Sequence, residues 1–297
     1  MTVNMVENME DESLTVTELN ADTQVDDLIA DQYLAAELDE VIRLQNYAKS
    51  NKFKADIVWR NVAIFAALHV GALIGLYQLL FLARWPTVAW MVFCYLWSGL
   101  GITAGAHRLW AHRCYKARLP MKLFLWHPKL KEFGAKLDLS DLSKDPLLAF
   151  QRKHYLLLVL LFCFLMPTVV PVFLWKEKAL VALYVAGLFR YCAVLHATWF
   201  INSIAHMFGY KPYDVNITPT ESVWTTVAAL GEGGHNYHHT FPQDYRTSEM
   251  PYLFNFTRAF IDGCKWLGLA YDLQTVSKES IQRQKDKQVQ LLKQKDL

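Results

Sequence analysis

The sequence predicts an all-α integral membrane protein with four transmembrane helices, paired as two hairpins beneath a cytosolic, histidine-rich cap. Three observations predict this fold. The 297 residues are 53% hydrophobic and 20% charged, and the apolar residues are concentrated in four runs. The Lys and Arg residues are concentrated in the segments that would lie on one side of a membrane. Most of the histidines fall in those same segments or at the ends of the runs that enter them.

The four apolar runs lie at about residues 62–83, 86–106, 155–175 and 179–204. Each has about the 20 residues that an α-helix needs to cross roughly 30 Å of hydrocarbon. The alternative is four long core helices of a soluble protein. That alternative requires a large polar domain to cover them, and the remaining segments are too short, so we expect membrane spans.

The distribution of basic residues predicts the orientation. Eleven Lys and Arg residues lie from Arg108 to Lys153, between the second and third runs. The link between the first and second runs carries only Arg84, and that between the third and fourth only Lys176 and Lys178. Basic loops stay cytosolic. We therefore expect both termini in the cytosol, with a cytosolic cap formed by residues 107–154 and 207–274.

The two ends of the chain differ from this 55–274 domain. Residues 1–54 comprise an acidic tail, expected to be disordered, and a basic juxtamembrane segment; the first forty residues contain no Lys or Arg, unlike a cationic signal peptide. Residues 275–297 are a polar tail. The segment Lys293–Leu297 fits a dilysine retrieval signal for the endoplasmic reticulum, although a solvated helix end has the same residues.

The overall charge and the cysteines exclude several classes of protein. A net charge of +2 gives no reason to expect a nucleic-acid partner. The five cysteines form no C-x-x-C pair, and Cys94, Cys163 and Cys192 lie in apolar runs. We therefore interpret them as buried thiols, and neither a zinc finger nor a secreted disulfide framework is expected.

Three groups of polar residues are predicted to meet at the cytosolic face. His235, His238 and His239 follow the segment Gly231–Gly234, which we interpret as a flexible approach to something close. Spaced at i, i+3 and i+4, they share one face of a helix or tight turn, although a solvated polar turn would have the same pattern. His107 and His112 follow the second run, and because five residues rotate about 140° on an α-helix, they converge only where the helix ends or is distorted.

Asn202 and His206 form the third group. They lie at i and i+4 near the end of the fourth run, where polar groups are costly and usually functional, although a hydrogen bond between helices is an alternative. The remaining histidines stand singly, and we interpret them as packing or surface residues: His69, His127, His154 and His196. Arg190 is expected to snorkel or to pair within the bundle.

Many imidazoles without a thiolate favour iron, copper, zinc or nickel and argue against a structural zinc site. More than four nitrogen ligands indicate more than one ion. Two iron ions could activate dioxygen, the oxidant that an unactivated C–H bond requires, and a site beside the bilayer suits an acyl chain. The residues therefore predict a membrane-bound, histidine-rich metal oxidase that acts on lipid.

Several motifs carry a resemblance to a known family. The segment Gly101-Ile-Thr-Ala-Gly-Ala-His-Arg-Leu-Trp-Ala-His112-Arg and the segment Gly231-Glu-Gly-Gly-His-Asn-Tyr-His-His239-Thr-Phe-Pro closely resemble the first and third histidine boxes of the acyl-CoA desaturases. Further stretches resemble that family at Trp59–Val62, Leu68–Leu73, Lys136–Leu142 and Trp199–His206. The resemblance runs from about residue 55 to 280 and points to the stearoyl-CoA (Δ9) type, as found in insects.

The resemblance implies a reaction and its participants. Such enzymes use dioxygen and electrons from NADH, passed through a reductase and cytochrome b5, to place a cis double bond in a saturated palmitoyl- or stearoyl-class acyl-CoA at the endoplasmic reticulum. It implies two iron ions as cofactors and substrate contacts at Asn61 and Trp199. It implies metal ligands, with no separate catalytic residue, at His107, His112, Asn202, His206, His235, His238 and His239.

The sequence also departs from the family. Members carry a second box, H-x-x-H-H, between the first box and the motif at Lys136–Leu142. Here Leu125 runs straight into Trp126, so several dozen residues and three expected ligands are absent. The alternative to a working desaturase is therefore a shortened isoform or paralogue with little or no activity, acting at most as a membrane binding protein.

Overall fold

A computed structural model describes residues 57–125 and 145–295. The acidic tail, His127, the motif at 136–142 and the last two residues lie outside this part. The described residues from Asn61 onward belong to one compact unit.

Four helices are long and apolar enough to cross a membrane: Trp59–Phe81, Trp85–Ala111, Tyr155–Trp175 and Ala179–Met207. They correspond to the four predicted spans and confirm the fold class. Two of them extend further than the apolar runs. The second continues to Ala111 rather than stopping at Ala106, and the fourth reaches Met207 rather than Ile204. His107 and His206 therefore lie within the last turns of spanning helices.

Three of the four spanning helices contain π-helical segments. The first is α1, Trp59–Phe81. The second comprises α2, Trp85–Leu100, and the π-helix Gly101–Ala111. The third comprises α3, Tyr155–Val159, the π-helix Leu160–Leu165 and α4, Met166–Trp175. The fourth comprises α5, Ala179–Ala182, the π-helix Leu183–Phe189, α6, Arg190–Asn202, and α7, Ile204–Met207.

The two short links lie together at one end of the bundle. The Glu177 carboxylate accepts hydrogen bonds from the Arg84 backbone N–H at 3.0 Å and from the Thr87 hydroxyl at 2.6 Å. Arg84 Nη1 donates in turn to the Trp175 carbonyl at 2.7 Å. These contacts join the link between the first and second helices to the link between the third and fourth. The bundle is therefore two hairpins, with the histidine-bearing ends opposite the links.

Arg190 is buried inside the bundle. Its guanidinium donates to the Ser98 hydroxyl of the second spanning helix at 3.0 Å, to the Cys163 carbonyl of the third and, through Nε at 3.0 Å, to the Ala186 carbonyl of its own helix. Both carbonyls belong to π-helical segments. The expectation that Arg190 pairs within the bundle is confirmed, and it pairs with backbone and hydroxyl oxygens. All five cysteines are free and buried, as predicted.

Short elements form the cap at the other end. Strands Lys116–Ala117 and Ala270–Tyr271 pair antiparallel. The cap helices are numbered on from α7 and comprise α8, Leu119–Leu125, α9, Pro146–Lys153, α10, Val223–Ala228, α11, His235–Thr240, α12, Phe256–Trp266, and α13, Lys278–Lys295. Leu100, Ala104 and Leu109 of the second spanning helix share a buried cluster with Ile261 and Cys264 of α12. This shared core fixes the end of the bundle against the cap.

Candidate metal centre

The first histidine group joins the second spanning helix to α11. Ligand atoms of His107, His112 and His238 all lie within 4.8 Å of one another. The Nε2 atoms of His107 and His238 are 3.0 Å apart. The three imidazoles therefore converge on one point at the end of the bundle.

A local distortion of the helix explains why His107 and His112 converge. The π-helix Gly101–Ala111 ends at His112, whose backbone N–H donates to the His107 carbonyl at 2.9 Å. A hydrogen bond from residue i+5 to residue i places the two residues about one turn apart, so their side chains point in similar directions. In an α-helix the two side chains would point about 140° apart. The distortion that the sequence analysis required for this pair is therefore present.

The second histidine group joins the fourth spanning helix to the same short helix. Ligand atoms of His206, His235 and His239 all lie within 4.8 Å of one another. His235 Nε2 lies 3.0 Å from His206 Nε2 and 3.2 Å from His239 Nε2. His239 is exposed and His235 is buried, so this group opens to the solvent on one side.

Helix α11 supplies histidines to both groups. The spacing predicted that His235, His238 and His239 share one face of a helix or tight turn. In the structure His238 joins the first group, whereas His235 and His239 join the second. The ring centroids of His235 and His238 are 6.1 Å apart. One short helix thus brings two three-histidine groups close together, as a centre with two ions requires.

Glu232 contacts the first group at the ring nitrogen of His107 that faces away from the other histidines. Its carboxylate lies 3.0 Å from His107 Nδ1 and 3.0 Å from the Arg108 guanidinium. Burial alone would raise the pKa of this carboxyl, but Arg108 and His107 lower it well below its usual value. A carboxylate on Nδ1 fixes the tautomer that leaves the Nε2 lone pair free for a metal ion.

A comparable contact holds the second group. His206 Nδ1 lies 3.0 Å from the Thr218 hydroxyl, so its Nε2 faces His235 and His239. Neither Glu232 nor Thr218 was predicted from the sequence. The position of Glu232, three residues before His235, could have indicated its role. Nothing in the sequence around Thr218 indicates its contact with His206.

The protonation of the histidines suits a metal ion. Burial, followed by neighbouring histidines, lowers the pKa of His112 to about 4 and that of His235 to about 3. Burial also lowers the pKa of His238 well below its ordinary value. His238 Nδ1 is buried and has no hydrogen-bond partner among the described residues. Neutral imidazoles whose Nε2 atoms converge fit a site for a metal ion.

The glycines before α11 form a tight turn, which corrects the expectation of a flexible approach. Residues 231–234 are all buried. Gly231 has φ +114°, and a Cβ there would lie 2.4 Å from Asn255 Oδ1. A Cβ on Gly233 would lie 2.2 Å from the Ser222 carbonyl oxygen. These positions need glycine because the backbone approaches its neighbours closely.

The remaining candidate residues are Asn202, Asn61 and Trp199. The helix breaks at Ser203, so Asn202 ends α6 while His206 lies in α7. The i, i+4 relation expected for an unbroken helix is therefore lost, and Asn202 is exposed. Asn61 is also exposed. The Trp199 ring packs against those of Phe65 and His196.

A narrow apolar cavity lies between the second and fourth spanning helices, next to the π-helix Gly101–Ala111. Residues 228–230 of the cap also line it. The lining residues include Tyr95, Ile102, Thr103, Val194, Thr198 and Leu230.

Comparison with known proteins identifies the family. No family model matches the chain. A Δ9-fatty-acid desaturase of Caenorhabditis elegans is 51% identical over 303 positions, covering 85% of this chain and 89% of that protein. A second from that organism is 47% identical, covering 88% and 93%. A human stearoyl-CoA desaturase is 43% identical over 278 positions, covering 77% of each chain.

The alignments also contain a gap. The first spans 303 positions but covers 85% of 297 residues, which is about 250 residues, so about 50 positions have no counterpart in this chain. This total agrees in size with the segment expected to be absent after Leu125, whose position stays a prediction. At this identity over most of its length, the chain belongs to the Δ9 fatty-acid (stearoyl-CoA) desaturase family.

Proposed function

We propose that this membrane oxidoreductase places a cis double bond at the Δ9 position of a saturated fatty acyl-CoA of the palmitoyl or stearoyl class, with dioxygen as oxidant. The observation that carries the proposal is the pair of three-histidine groups at the cap end of the bundle. The family identity supplies the substrate class.

Two iron ions are the proposed cofactors. His107, His112 and His238 would hold one, and His206, His235 and His239 the other, with Asn202 as a further candidate for the second. Two bound irons supply the chemistry of dioxygen activation, which cleavage of an unactivated C–H bond requires. The protein's own residues orient the imidazoles through Glu232 and Thr218 and keep His112, His235 and His238 neutral.

Substrate contacts are proposed at Asn61 and Trp199. Trp199 lies on α6, the helix that also supplies Val194 and Thr198 to the apolar cavity. The cavity lies beside the π-helix that carries His107.

The proposed electron donors are cytochrome b5 and its NADH-dependent reductase. The proposed location is the endoplasmic reticulum membrane, with both termini in the cytosol. The basic segments at the cap end support this orientation. The proposed domain division remains an acidic tail with a basic juxtamembrane segment at 1–54, the desaturase domain at 55–274 and a polar tail at 275–297.

Iron stoichiometry tests the proposed centre. The purified full chain should bind two iron ions, and His112→Ala and His239→Ala should each reduce this to about one, because they belong to different groups. His154→Ala is the matched control, since His154 lies outside both groups. Loss of both irons in one variant, or full retention in both, would contradict a centre built from two three-histidine groups.

A further inference from the structure

A third group of possible ligands lies within the spanning helices. His69 is on α1, and Cys192 and His196 lie one turn apart on α6. Their ligand atoms all lie within 4.8 Å of one another. From the sequence, His69 and His196 were interpreted as packing or surface residues and Cys192 as a buried thiol. The desaturation chemistry proposed above does not use them.

Hydrogen bonding fixes how His69 is oriented. Its Nδ1 lies 2.6 Å from the Phe65 carbonyl oxygen, which can only accept. Nδ1 therefore carries the proton, and the Nε2 lone pair points to His196 Nε2 at 2.9 Å. A backbone carbonyl on the remote ring nitrogen is the usual support of a metal-binding histidine.

The same convergence marks the two groups in the cap. Their Nε2 atoms approach to between 3.0 and 3.2 Å, and the His69–His196 pair to 2.9 Å. What distinguishes the third group is its sulfur ligand. Cys192 is 5% exposed and shares an apolar cluster with Leu68 and Ala72.

The apolar surroundings favour an ion whose charge makes the complex neutral. A thiolate carries one negative charge, and two neutral imidazoles add none. A monovalent ion would give a neutral complex, whereas Zn²⁺ would leave a net positive charge among hydrocarbon groups, which is costly. Thiolate ligands favour monovalent copper among the soft ions. Binding would release the thiol proton to the solvent.

We propose that His69, Cys192 and His196 form a binding site for monovalent copper between the first and fourth spanning helices. The site joins two helices that otherwise meet through apolar side chains and small residues. It is independent of the iron centre, because none of its residues belongs to the two groups in the cap.

X-ray absorption at the copper edge tests the site, because sulfur is absent from both histidine groups in the cap. The purified full chain is loaded anaerobically with monovalent copper. We expect one copper–sulfur contact per chain in the natural protein. In Cys192→Ala we expect that contact to be lost and bound copper to fall by about one ion per chain at equal free copper.

Cys163→Ala is the matched control, because Cys163 is also a buried cysteine in a spanning helix and forms no disulfide. Its copper–sulfur contact should match that of the natural chain. Absence of copper–sulfur scattering from the natural chain would overturn the proposal even if a variant failed to fold. Persistence of that scattering in Cys192→Ala, or retention of zinc in place of copper under competition, would overturn it equally.

Discussion

Glu232 connects the first histidine group to the core of the cap, and it shows how single residues set the properties of this centre. The carboxylate holds His107 on one side and the fully buried Arg108 on the other. Arg108 also donates to the Tyr245 carbonyl at 2.7 Å. The orientation of a candidate ligand and the neutralisation of a buried cation thus depend on one carboxylate.

We predict that Glu232→Gln weakens iron retention at the first group by about 10- to 100-fold, as removal of a supporting partner typically does. It should also lower the thermal midpoint, because breaking a buried ion pair costs about 3–5 kcal/mol. Iron remaining under a competing chelator and the midpoint in detergent measure the two effects. Asp272→Asn is the control, since its pair with Lys116 is exposed. Equal iron retention in both variants would refute this role.

Glu221 gives a prediction for pH. Burial raises the pKa of this carboxyl to about 7. A hydrogen bond from the Tyr237 backbone N–H opposes this effect but is the weaker of the two. Between pH 4.5 and 7 the folded chain therefore holds a proton that the unfolded chain has lost. Stability contributed by the protonated group is complete at low pH and declines as pH rises through this window.

Glu221→Gln should therefore reduce the fall in thermal midpoint between pH 5 and pH 7.5. The raised pKa of Glu221 corresponds to a pH-dependent change of about 3 kcal/mol at most in the free energy of unfolding. Glu279→Gln serves as the control because Glu279 is exposed. A pH profile of Glu221→Gln that overlies that of the natural chain would show that Glu221 does not carry this dependence.

The spacing of residues in the sequence predicted which histidines belong to the site, but not how they divide into two groups. His107, His112, His206, His235, His238 and His239 could all be selected from sequence as candidates. Their assignment to two groups depends on the exact direction of each turn of α11, which a spacing of three or four residues does not resolve. Asn202 illustrates the same limit, because spacing did not predict the break at Ser203 that separates its helix from that of His206.

At the scale of elements, the π-helical segments explain the departures from the sequence expectation. The segment Gly101–Ala111 extends the second spanning helix and brings His107 and His112 together. The segments Leu160–Leu165 and Leu183–Phe189 contain the carbonyls that Arg190 satisfies. Apolar run length predicts that a helix exists, but it carries no information on where the hydrogen-bond register changes.

Close packing of the first and fourth spanning helices depends on Gly75. A Cβ there would lie 2.2 Å from the Tyr184 carbonyl oxygen and 2.8 Å from Phe189 Cβ. We predict that Gly75→Ala lowers the thermal midpoint by several degrees, since overpacking costs about 1–3 kcal/mol.

Gly263→Ala is the matched control for this prediction. It lies in α12, and a Cβ there would meet nothing within 4 Å. Because alanine favours a helix over glycine, this variant should keep or slightly raise the midpoint. Equal midpoints for the two variants would show that the helices do not pack closely through Gly75.

At the scale of the whole molecule, the topology was predictable because it follows from signals spread over long segments. Four apolar runs of about 20 residues and two short links require two hairpins, and Glu177 ties those links together. This topology places the histidine-bearing ends of the second and fourth helices together at the opposite end of the bundle. The six histidines grouped there form two sets of three, although the chain lacks a second H-x-x-H-H box before residue 235.

The most direct test of the account is fatty-acid analysis of yeast that lacks its own desaturase and expresses the full chain, with a blot for its abundance in membranes. The account predicts monounsaturated fatty acids with the double bond at carbon 9, and none from His238→Ala at equal abundance. The absence of that product from the natural chain, despite ample protein in the membrane, would contradict the account. It would instead support the alternative of a shortened, non-catalytic relative.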